Sequence, residues 1–419
     1  MEELVFMTRE QVRAVRREYG SPVYVYDEAT LEKRAREVLA FPNAFGLTAR
    51  YAMKALPNAT ILRLLHRLGL HIDASSGFEA ERAMRAGIPP ECIQLTGQEL
   101  PGNLYELVAK GVLFNACSLE QLRVYSELFP HSAVSVRINP GLGSGHSNRT
   151  NVGGPGASFG IWHEYVSDAL ALAGKHGVSI MRMHTHIGSG SDPETWVHCA
   201  QLSLDIAARF PGVRVLSLGG GYKVARMSHE QTADLQEIGG RIVPEFERFA
   251  QEHGRELHLE IEPGTYIAAN AGALVATVTD LVDTGANGFR FIKVDSGMTE
   301  VVRPAMYGAQ QPLVVVPAEE ESRGTADYIV AGHCCESGDV LTTAPDDPEG
   351  LEPRTLLEAR IGDALVVEGA GAYCAAQSCK NYNSFPEAPE VLLTRDGSFR
   401  AVRKSQTLDQ MVENELKEA

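Results

Sequence analysis

Residues 70–97, LHIDASSGFEAERAMRAGIPPECIQLTG, contain an apolar run, a helix signal and a second apolar run in that order. The runs LHIDAS (70–75) and CIQLTG (92–97) have the length and composition of buried strands. Between them, Ser76 and Glu79 have the spacing of a capping box that begins the helix FEAERAMRAG. The segment therefore predicts a strand–helix–strand unit.

The same alternation continues on both sides of this segment. Eight apolar runs follow one another with helical stretches between them: RYAMKA (50–55), LHIDAS (70–75), CIQLTG (92–97), VLFNACS (112–118), AVSVRIN (133–139), IMRMHTHI (180–187), VRVLSLGGG (213–221) and LHLEIEPG (257–264). Eight strand–helix units of this length predict a (β/α)8 barrel of the TIM type. A doubly wound sheet with additional strands is the alternative.

The remaining sequence predicts an all-β domain after the barrel. From about residue 275, strand-like runs such as QPLVVVP and DALVVEGAGAY are separated by Gly, Asp and Pro turns. At the other end, TREQVRAVRREYG predicts a helix and SPVYVYD a strand. We therefore predict an N-terminal helix and strand that join the β-domain (1–29), a barrel (30–275) and a C-terminal β-sandwich or barrel-like domain (276–419).

Composition excludes several classes of function. The net charge of −16 gives no electrostatic basis for binding nucleic acid or an anionic membrane. No apolar run approaches the roughly 18 residues that span a bilayer, and MEELVFMTREQV does not have the pattern of a secretory signal. Seven cysteines without a disulfide-framework spacing indicate thiols in a reducing cytoplasm. The adjacent His333, Cys334 and Cys335 are poorly spaced for one ion, so we predict no metal site.

Polar residues follow nearly every predicted barrel strand, at the end where barrel active sites form. These residues are Lys54, Asp73, Asn115, Asn139, His184, His186, Ser189, the triplet Gly219–Gly221, Glu262 and Gly264. A barrel with a purely structural role does not need a polar group after each strand. Together the residues predict an active site.

Lys54 lies in the apolar stretch ARYAMKALPN (49–58). One interpretation is a lysine whose ammonium extends from a strand into water. The other is a poorly solvated amine that forms a Schiff base with an aldehyde cofactor, for which pyridoxal phosphate is the obvious candidate.

Other strand ends suit that cofactor. The small residues of SLGGGY and EPGT allow backbone N–H groups to approach a phosphate, whereas LGGGY lacks the spacing of a dinucleotide-binding motif. Glu262, in an apolar strand, needs a cation or a donor such as a pyridinium N–H. Of His184 and His186, one is expected to be a satisfied core histidine and the other to lie flat on an aromatic cofactor.

At this point the motifs resemble a known family. YAMKA, DASSGFE, RINPGLGSGHSNRTNVGG, HTHIGSG, LGGGY, EPGT, RPAMYG, CCESGD and GAYC occur in family order between about residues 50 and 385. The chain resembles the fold-type III pyridoxal-phosphate decarboxylases, most closely those that act on diaminopimelate.

The resemblance implies a role for each cofactor-binding residue. Lys54 would hold pyridoxal 5'-phosphate as an internal aldimine, His186 would stack on the ring, and Glu262 would keep the pyridine nitrogen protonated. The ring would then accept the electrons left by CO2 in a quinonoid. The remaining contacts would come from Ser189, Gly221, Gly264 and Tyr373 at the phosphate, and from Asp73 and Arg137 beside the cofactor.

The resemblance also implies a homodimer with shared active sites, to which CCESGD comes from the partner subunit. Cys335 would donate a proton to the quinonoid, and Glu336 would bind the distal amino group of an amino-acid substrate. Arg303, Tyr307 and Tyr373 would complete the substrate site. The alternative for Cys335 is a small buried hydrophobic residue.

The implied reaction is decarboxylation of meso-2,6-diaminopimelate to L-lysine and CO2, the last step of lysine biosynthesis. One residue departs from the family pattern, because EPGT has Thr265 where the family has an arginine for the distal carboxylate. A threonine hydroxyl cannot replace a bidentate guanidinium. Arg149 is our candidate for a replacement cation.

Three alternatives remain. The first is a fold-type III decarboxylase for another amino acid, such as a D-diamino acid or a siderophore precursor. The second is an alanine-racemase-like enzyme, which CCESGD disfavours. The third is a non-catalytic pyridoxal-phosphate carrier, which the long β-domain disfavours.

Overall fold

The computed structural model describes residues 1–143, 153–187 and 190–416. The chain forms two compact units. The barrel unit comprises Glu32–Val224 and Gln231–Ile267, and the sheet unit comprises Met1–Leu31, Ala225–Glu230 and Ala268–Ala419. Within the described residues, every helix is too short or too polar to cross a membrane.

The barrel unit confirms the predicted fold class. Its eight strands are, in chain order, Leu47–Ala52, His71–Ala74, Ile93–Leu95, Leu113–Ala116, Ala133–Asn139, Ser179–His184, Val215–Ser217 and His258–Ile261. All neighbouring pairs are parallel, and the eighth strand pairs with the first at Leu259 and Leu47, which closes the barrel. A short strand, Ile161–Trp162, pairs with the fifth.

Helices alternate with these strands. They are Glu28–Leu39, Ala59–Arg67, Gly77–Arg85, Leu104–Ala109, Leu119–Leu128, Val166–Lys175, Pro193–Ala208, Leu235–His253 and the short Thr265–Ala268. Ser76 and Ser118 cap their helices by accepting hydrogen bonds from Glu79 and Gln121, as the sequence spacing predicts. Short 3-10 turns occupy Met53–Ala55, Pro90–Cys92 and His163–Tyr165.

The sheet unit is mostly β-structure, as predicted. Its larger sheet contains Val23–Asp27, Gly272–Asp283, Arg290–Val294, Leu313–Val316, Thr325–Ala331, Arg354–Leu357, Ala364–Val367, Glu390–Leu393 and Phe399–Arg403. A separate pair consists of Thr343–Ala344 and Asp347–Leu351. The helices are Arg9–Tyr19, Arg303–Tyr307 and Leu408–Met411, with 3-10 turns at Ala269–Ala271 and Tyr382–Ser384.

The N-terminal strand Val23–Asp27 lies inside this sheet. It pairs antiparallel with Gly272–Asp283 and parallel with Glu390–Leu393, so the two ends of the chain meet in one sheet. Val12 and Val15 of the first helix pack in the same core as Val23 and Val25. Their burial fixes the N-terminal helix on the sheet.

Candidate active site

Lys54 lies directly after the first barrel strand, in the 3-10 turn Met53–Ala55. Its neighbours Met53 and Ala55 are buried, whereas the lysine itself is exposed. The expectations that Lys54 lies on the strand and is poorly solvated are therefore wrong, because the strand ends at Ala52 and Lys54 is exposed in the turn that follows. The exposed amine is accessible to a reactant.

Glu262 follows the eighth barrel strand and is held by three side chains. Its Oε1 accepts hydrogen bonds from Gln94 Nε2 at 2.9 Å and Ser217 Oγ at 3.0 Å, and its Oε2 lies 2.8 Å from His184 Nε2. Burial opposes ionisation, but the charge and hydrogen bond of His184 outweigh it and lower the pKa of Glu262. The residue is a fixed buried carboxylate.

Asp73, at the end of the second barrel strand, is a buried carboxyl whose pKa shifts in the opposite direction to that of Glu262. Burial, and then the negative charge of Glu262, raises its pKa well above the ordinary value, and Lys54 opposes that rise. Its Oδ1 has no hydrogen-bond partner in the part of the chain that the structure describes. Of the two neighbouring carboxyls, Glu262 is the one that carries the charge.

His186 lies two residues after His184, which ends the sixth barrel strand. Burial, followed by the positive charges of Arg137, His184 and Lys54, lowers its pKa well below the ordinary value. Its ring centroid lies 6.4 Å from that of His184 at an interplanar angle of 73°. His186 is therefore a neutral imidazole beside His184.

Arg137 lies on the fifth barrel strand and is buried. Its guanidinium carbon is 3.7 Å from the centre of the Phe159 ring, an arrangement in which the cation contacts the face of the ring. Burial lowers the pKa of Arg137, and the negative charge of Glu262 opposes that change. The structure thus brings together Arg137 and the predicted residues at the other strand ends.

Glycines at two neighbouring strand ends let the backbone pack closely against neighbouring segments. Gly219 and Gly221 have φ values of +73° and +103°, which favour glycine. A Cβ on Gly220 would lie 2.3 Å from the carbonyl oxygen of Glu262, and one on Gly264 would lie 3.2 Å from Ala52 Cβ. The predicted phosphate contact Ser189, like Arg149, lies outside the described residues.

Within the sheet unit, the predicted substrate residues Arg303, Tyr307 and Tyr373 lie close together. The guanidinium carbon of Arg303 is 5.5 Å from the Tyr307 ring centre and 5.9 Å from that of Tyr373. Tyr373 has a φ of +57°, which is uncommon for a residue with a side chain. The sheet unit therefore presents a cation between two aromatic rings.

The CCESGD segment of the sheet unit is a loop. Cys334 is buried, and burial with the nearby Asp339 raises its pKa to about 12. Cys335 is exposed, which is inconsistent with a small buried hydrophobic residue. Glu336 is also exposed and accepts a hydrogen bond from the Gly338 N–H at 3.1 Å. The loop thus presents one thiol and one carboxylate to the solvent.

Comparison with known proteins identifies the family. A family model described as "Pyridoxal-dependent decarboxylase, pyridoxal binding domain" matches residues 29–269. This chain belongs to that family. It is a pyridoxal-phosphate-dependent carboxy-lyase, which confirms the predicted enzyme class and cofactor.

Similar proteins extend over nearly the whole chain. A diaminopimelate decarboxylase of Streptomyces coelicolor is 35% identical over 97% of this chain and 92% of its own. One from Escherichia coli K12 is 33% identical over 98% and 97%. A crystal structure of a diaminopimelate decarboxylase aligns with a TM-score of 0.91 and 32% identity, covering 98% of this chain and 99% of its own.

The barrel residues fit the cofactor of the decarboxylase family. Glu262 offers a fixed negative charge, Asp73 has an unsatisfied buried oxygen, and the strand ends at Gly221 and Gly264 carry no side chain over their backbone N–H groups. Lys54 supplies an accessible amine. These are the chemical groups that a protonated pyridine, a phosphate and an aldehyde require.

Sequence reasoning missed the residues that support Glu262. Gln94 bonds Glu262 and also accepts a hydrogen bond from Arg182 Nη2 at 3.2 Å. Arg182 and Arg50 both pair with Glu260, the latter at 2.9 Å. The available signal was the spacing of Glu260 and Glu262, because residues two apart in a strand point to the same face. A polar network therefore fills the barrel interior behind the carboxylate.

The role of Asp339 in CCESGD was also missed. Its carboxylate accepts hydrogen bonds from the Cys334 N–H at 2.9 Å and the Met298 N–H at 2.6 Å, and its backbone oxygen accepts one from Gly332 at 2.7 Å. Asp339 thereby ties two loop segments together and fixes the start of the loop that carries Cys335.

Proposed function

We propose that this protein decarboxylates meso-2,6-diaminopimelate to L-lysine and CO2, the last step of lysine biosynthesis. The observation that carries the reaction class is the ionised, buried Glu262, which is fixed by three partners at the mouth of a barrel that also presents Lys54. The near full-length similarity to diaminopimelate decarboxylases supports the substrate.

Each barrel residue has a distinct role in this proposal. Pyridoxal phosphate, when bound, supplies an electron-withdrawing ring that stabilises the charge left on the substrate carbon as CO2 departs. Glu262 would keep the pyridine nitrogen protonated, and the neutral His186 would pack on the ring. Lys54 would hold the cofactor through its amine.

The supporting barrel residues orient the cofactor. Backbone N–H groups at Gly221 and Gly264, together with Ser189, bind the phosphate, which small residues permit to approach closely. Asp73 and Arg137 act beside the cofactor. Burial raises the pKa of Asp73, and its protonated form would have a hydroxyl that donates a hydrogen bond.

The sheet unit supplies the substrate contacts. Arg303 and Tyr307 bind the distal carboxylate, Tyr373 contacts both substrate and phosphate, and Glu336 binds the distal amino group. The exposed thiol of Cys335 donates a proton to the carbon that has lost CO2.

The assembly that we propose is a cytoplasmic homodimer in which the loop with Cys335 and Glu336 completes the active site of the partner subunit. The exposure of both residues on one loop supports a function at an interface. The seven free cysteines support a reducing compartment.

A second candidate is decarboxylation of a D-diamino acid without a distal carboxylate, and Thr265 favours it. The experiment is to offer the purified holoenzyme meso-diaminopimelate, D-lysine and D-ornithine separately and to measure CO2 and the chirality of the product. We expect diaminopimelate to give L-lysine. Release of CO2 only from D-lysine or D-ornithine would contradict the proposal and establish the second candidate.

A further inference from the structure

Two arginines of the sheet unit have buried N–H groups without hydrogen-bond partners. Nη2 of Arg226 and Nε of Arg303 are both buried and unpaired among the residues that the structure describes. Arg226 Nε donates to the carbonyl oxygen of Gly369 at 3.1 Å, which leaves the end of the guanidinium available. Unsatisfied buried donors on charged groups are costly and indicate a missing acceptor.

The two cations are close enough to oppose each other. Burial, and then the positive charge of Arg303, lowers the pKa of Arg226 to about 10. The carboxylate nearest in sequence, Glu230, accepts hydrogen bonds from the backbone N–H groups of Arg226 at 2.8 Å and Met227 at 3.1 Å. The charge of Arg303 therefore acts on a guanidinium whose Nη2 has no hydrogen-bond partner among the described residues, and an anion bound by both arginines would relieve their repulsion.

The side chain of Arg226 is held in place by backbone. A Cβ on Gly369 would lie 2.9 Å from Arg226 Cδ and 3.0 Å from its Cγ, so the arginine stem packs directly on this glycine. Gly369 also has a φ of +66°, which favours glycine. The packing and the hydrogen bond to Gly369 orient Arg226 before a ligand binds, which distinguishes it from a solvated loop arginine.

We propose that Arg226 and Arg303 together bind the carboxylate that the substrate keeps after decarboxylation. This inference rests on the proposed function and deepens it. Arg226 follows Gly221 by five residues in the sequence, so it comes from a different segment than the family's arginine, whose position is Thr265 here. Arg226 thus supplies the second cation that Thr265 cannot supply.

The cofactor phosphate is another anion that two guanidiniums can bind. Removing Arg226 should have different consequences depending on whether the bound anion is the substrate carboxylate or the cofactor phosphate. Loss of a carboxylate contact weakens only those ligands that carry the carboxylate, whereas loss of a phosphate contact reduces cofactor occupancy and weakens every ligand.

The test compares two ligands of the holoenzyme by titration calorimetry, so it needs no turnover. L-lysine, the proposed product, keeps the carboxylate, and cadaverine is the same chain without it. Wild-type protein should bind L-lysine at least tenfold more tightly than cadaverine, as one charge-assisted contact provides. Arg226→Gln should lower this preference about tenfold and leave cadaverine affinity within about twofold, because Arg303 alone then contacts the carboxylate, and Arg226→Lys should keep more of it.

Controls separate folding and cofactor effects. Arg400→Gln removes an exposed arginine of the same unit and should retain the wild-type preference. Thermal melting and the cofactor absorbance of each variant should match the wild type.

An unchanged preference for L-lysine in Arg226→Gln would overturn the inference. Equal weakening of both ligands with loss of cofactor would also overturn it, in favour of the phosphate. Failure of the proposed function is seen separately, as wild-type protein that releases no CO2 from diaminopimelate.

Discussion

The buried carboxylate of Glu262 and the arginine pair Arg226 and Arg303 differ in whether their hydrogen-bonding groups have partners within the protein. Both oxygens of Glu262 are bonded by neighbouring side chains, so its charge is stable without a ligand. The arginine pair has buried donors that no described residue satisfies. The difference indicates that the barrel unit presents a preformed electrostatic site, whereas the cationic site of the sheet unit is completed by its ligand.

The largest expected effect is at Lys54, the proposed covalent contact of the barrel site. Lys54→Ala should lower kcat by at least about 1,000-fold, because the amine proposed to bind the cofactor aldehyde is lost. Borohydride should fix the cofactor to Lys54 in the wild type, as peptide mapping would show. The matched control, Lys293→Ala, removes an exposed lysine that pairs with Asp280 and should keep full activity. A cofactor adduct on Lys293 would refute the assignment.

The next largest effect tests whether the charge of Glu262 matters. Glu262→Gln keeps the shape and an acceptor for Gln94 and Ser217 but removes the fixed charge, so the cofactor should bind while kcat falls by about 100-fold or more. Cofactor absorbance and single-turnover rates measure the two consequences. Near-normal turnover in this variant would exclude Glu262 from the chemistry, and its buried charge would then have no catalytic role.

An experiment on shared active sites is expected to give an effect of intermediate size, measured as recovered activity in mixed dimers. Lys54→Ala and Cys335→Ala are each expected to be inactive alone. If the loop with Cys335 serves the partner subunit, mixed dimers contain one intact site, and the mixture should recover about a quarter of wild-type activity at random exchange. Absence of recovery, with subunit exchange verified by light scattering and tags, would contradict shared sites.

A smaller effect is expected behind Glu262, at Gln94. Gln94→Leu removes a hydrogen bond to the carboxylate, so the pKa of Glu262 should rise from its lowered value. The charged form is required, so the acid limb of the kcat profile should move to higher pH while activity at neutral pH falls only about tenfold. A profile that keeps its acid limb and loses only amplitude would indicate a purely structural role.

The smallest effect is expected at Thr265, and it tests the arginine pair of the sheet unit. Thr265→Arg restores the family's residue, so in the Arg226→Gln background it should return several-fold of the lost affinity for L-lysine. In the wild-type background diaminopimelate should remain usable. If diaminopimelate is not the substrate, Thr265→Arg should instead depress the native activity and introduce some toward diaminopimelate, measured as CO2 release.

Most of the fold could be predicted because each barrel strand is a short apolar run next to a capping signal. All eight predicted runs overlap an observed strand, and the Ser76 and Ser118 caps form as expected. The error at Lys54 arose because the apolar composition continues from the strand into a 3-10 turn. An apolar composition indicates that the neighbouring residues are buried, but it does not distinguish a strand from a 3-10 turn.

The parts of the site that were missed depend on contacts between distant residues. Gln94 and Glu262 are 168 positions apart and meet only because the barrel closes. Arg226 likewise has no local signal, since its orientation comes from packing on Gly369. Polar residues within apolar strands were visible in the sequence, but their partners were not.

The way Asp339 anchors the loop with Cys335 limits how this enzyme can evolve. A Cβ on Gly297 or on Gly332 would lie 2.2 Å from Asp339 Oδ2, so the carboxylate occupies the space that either side chain needs. The three positions therefore form one epistatic unit, in which a substitution at either glycine is tolerated only after Asp339 becomes smaller. Directed-evolution libraries of this loop should therefore keep the triplet constant among active variants.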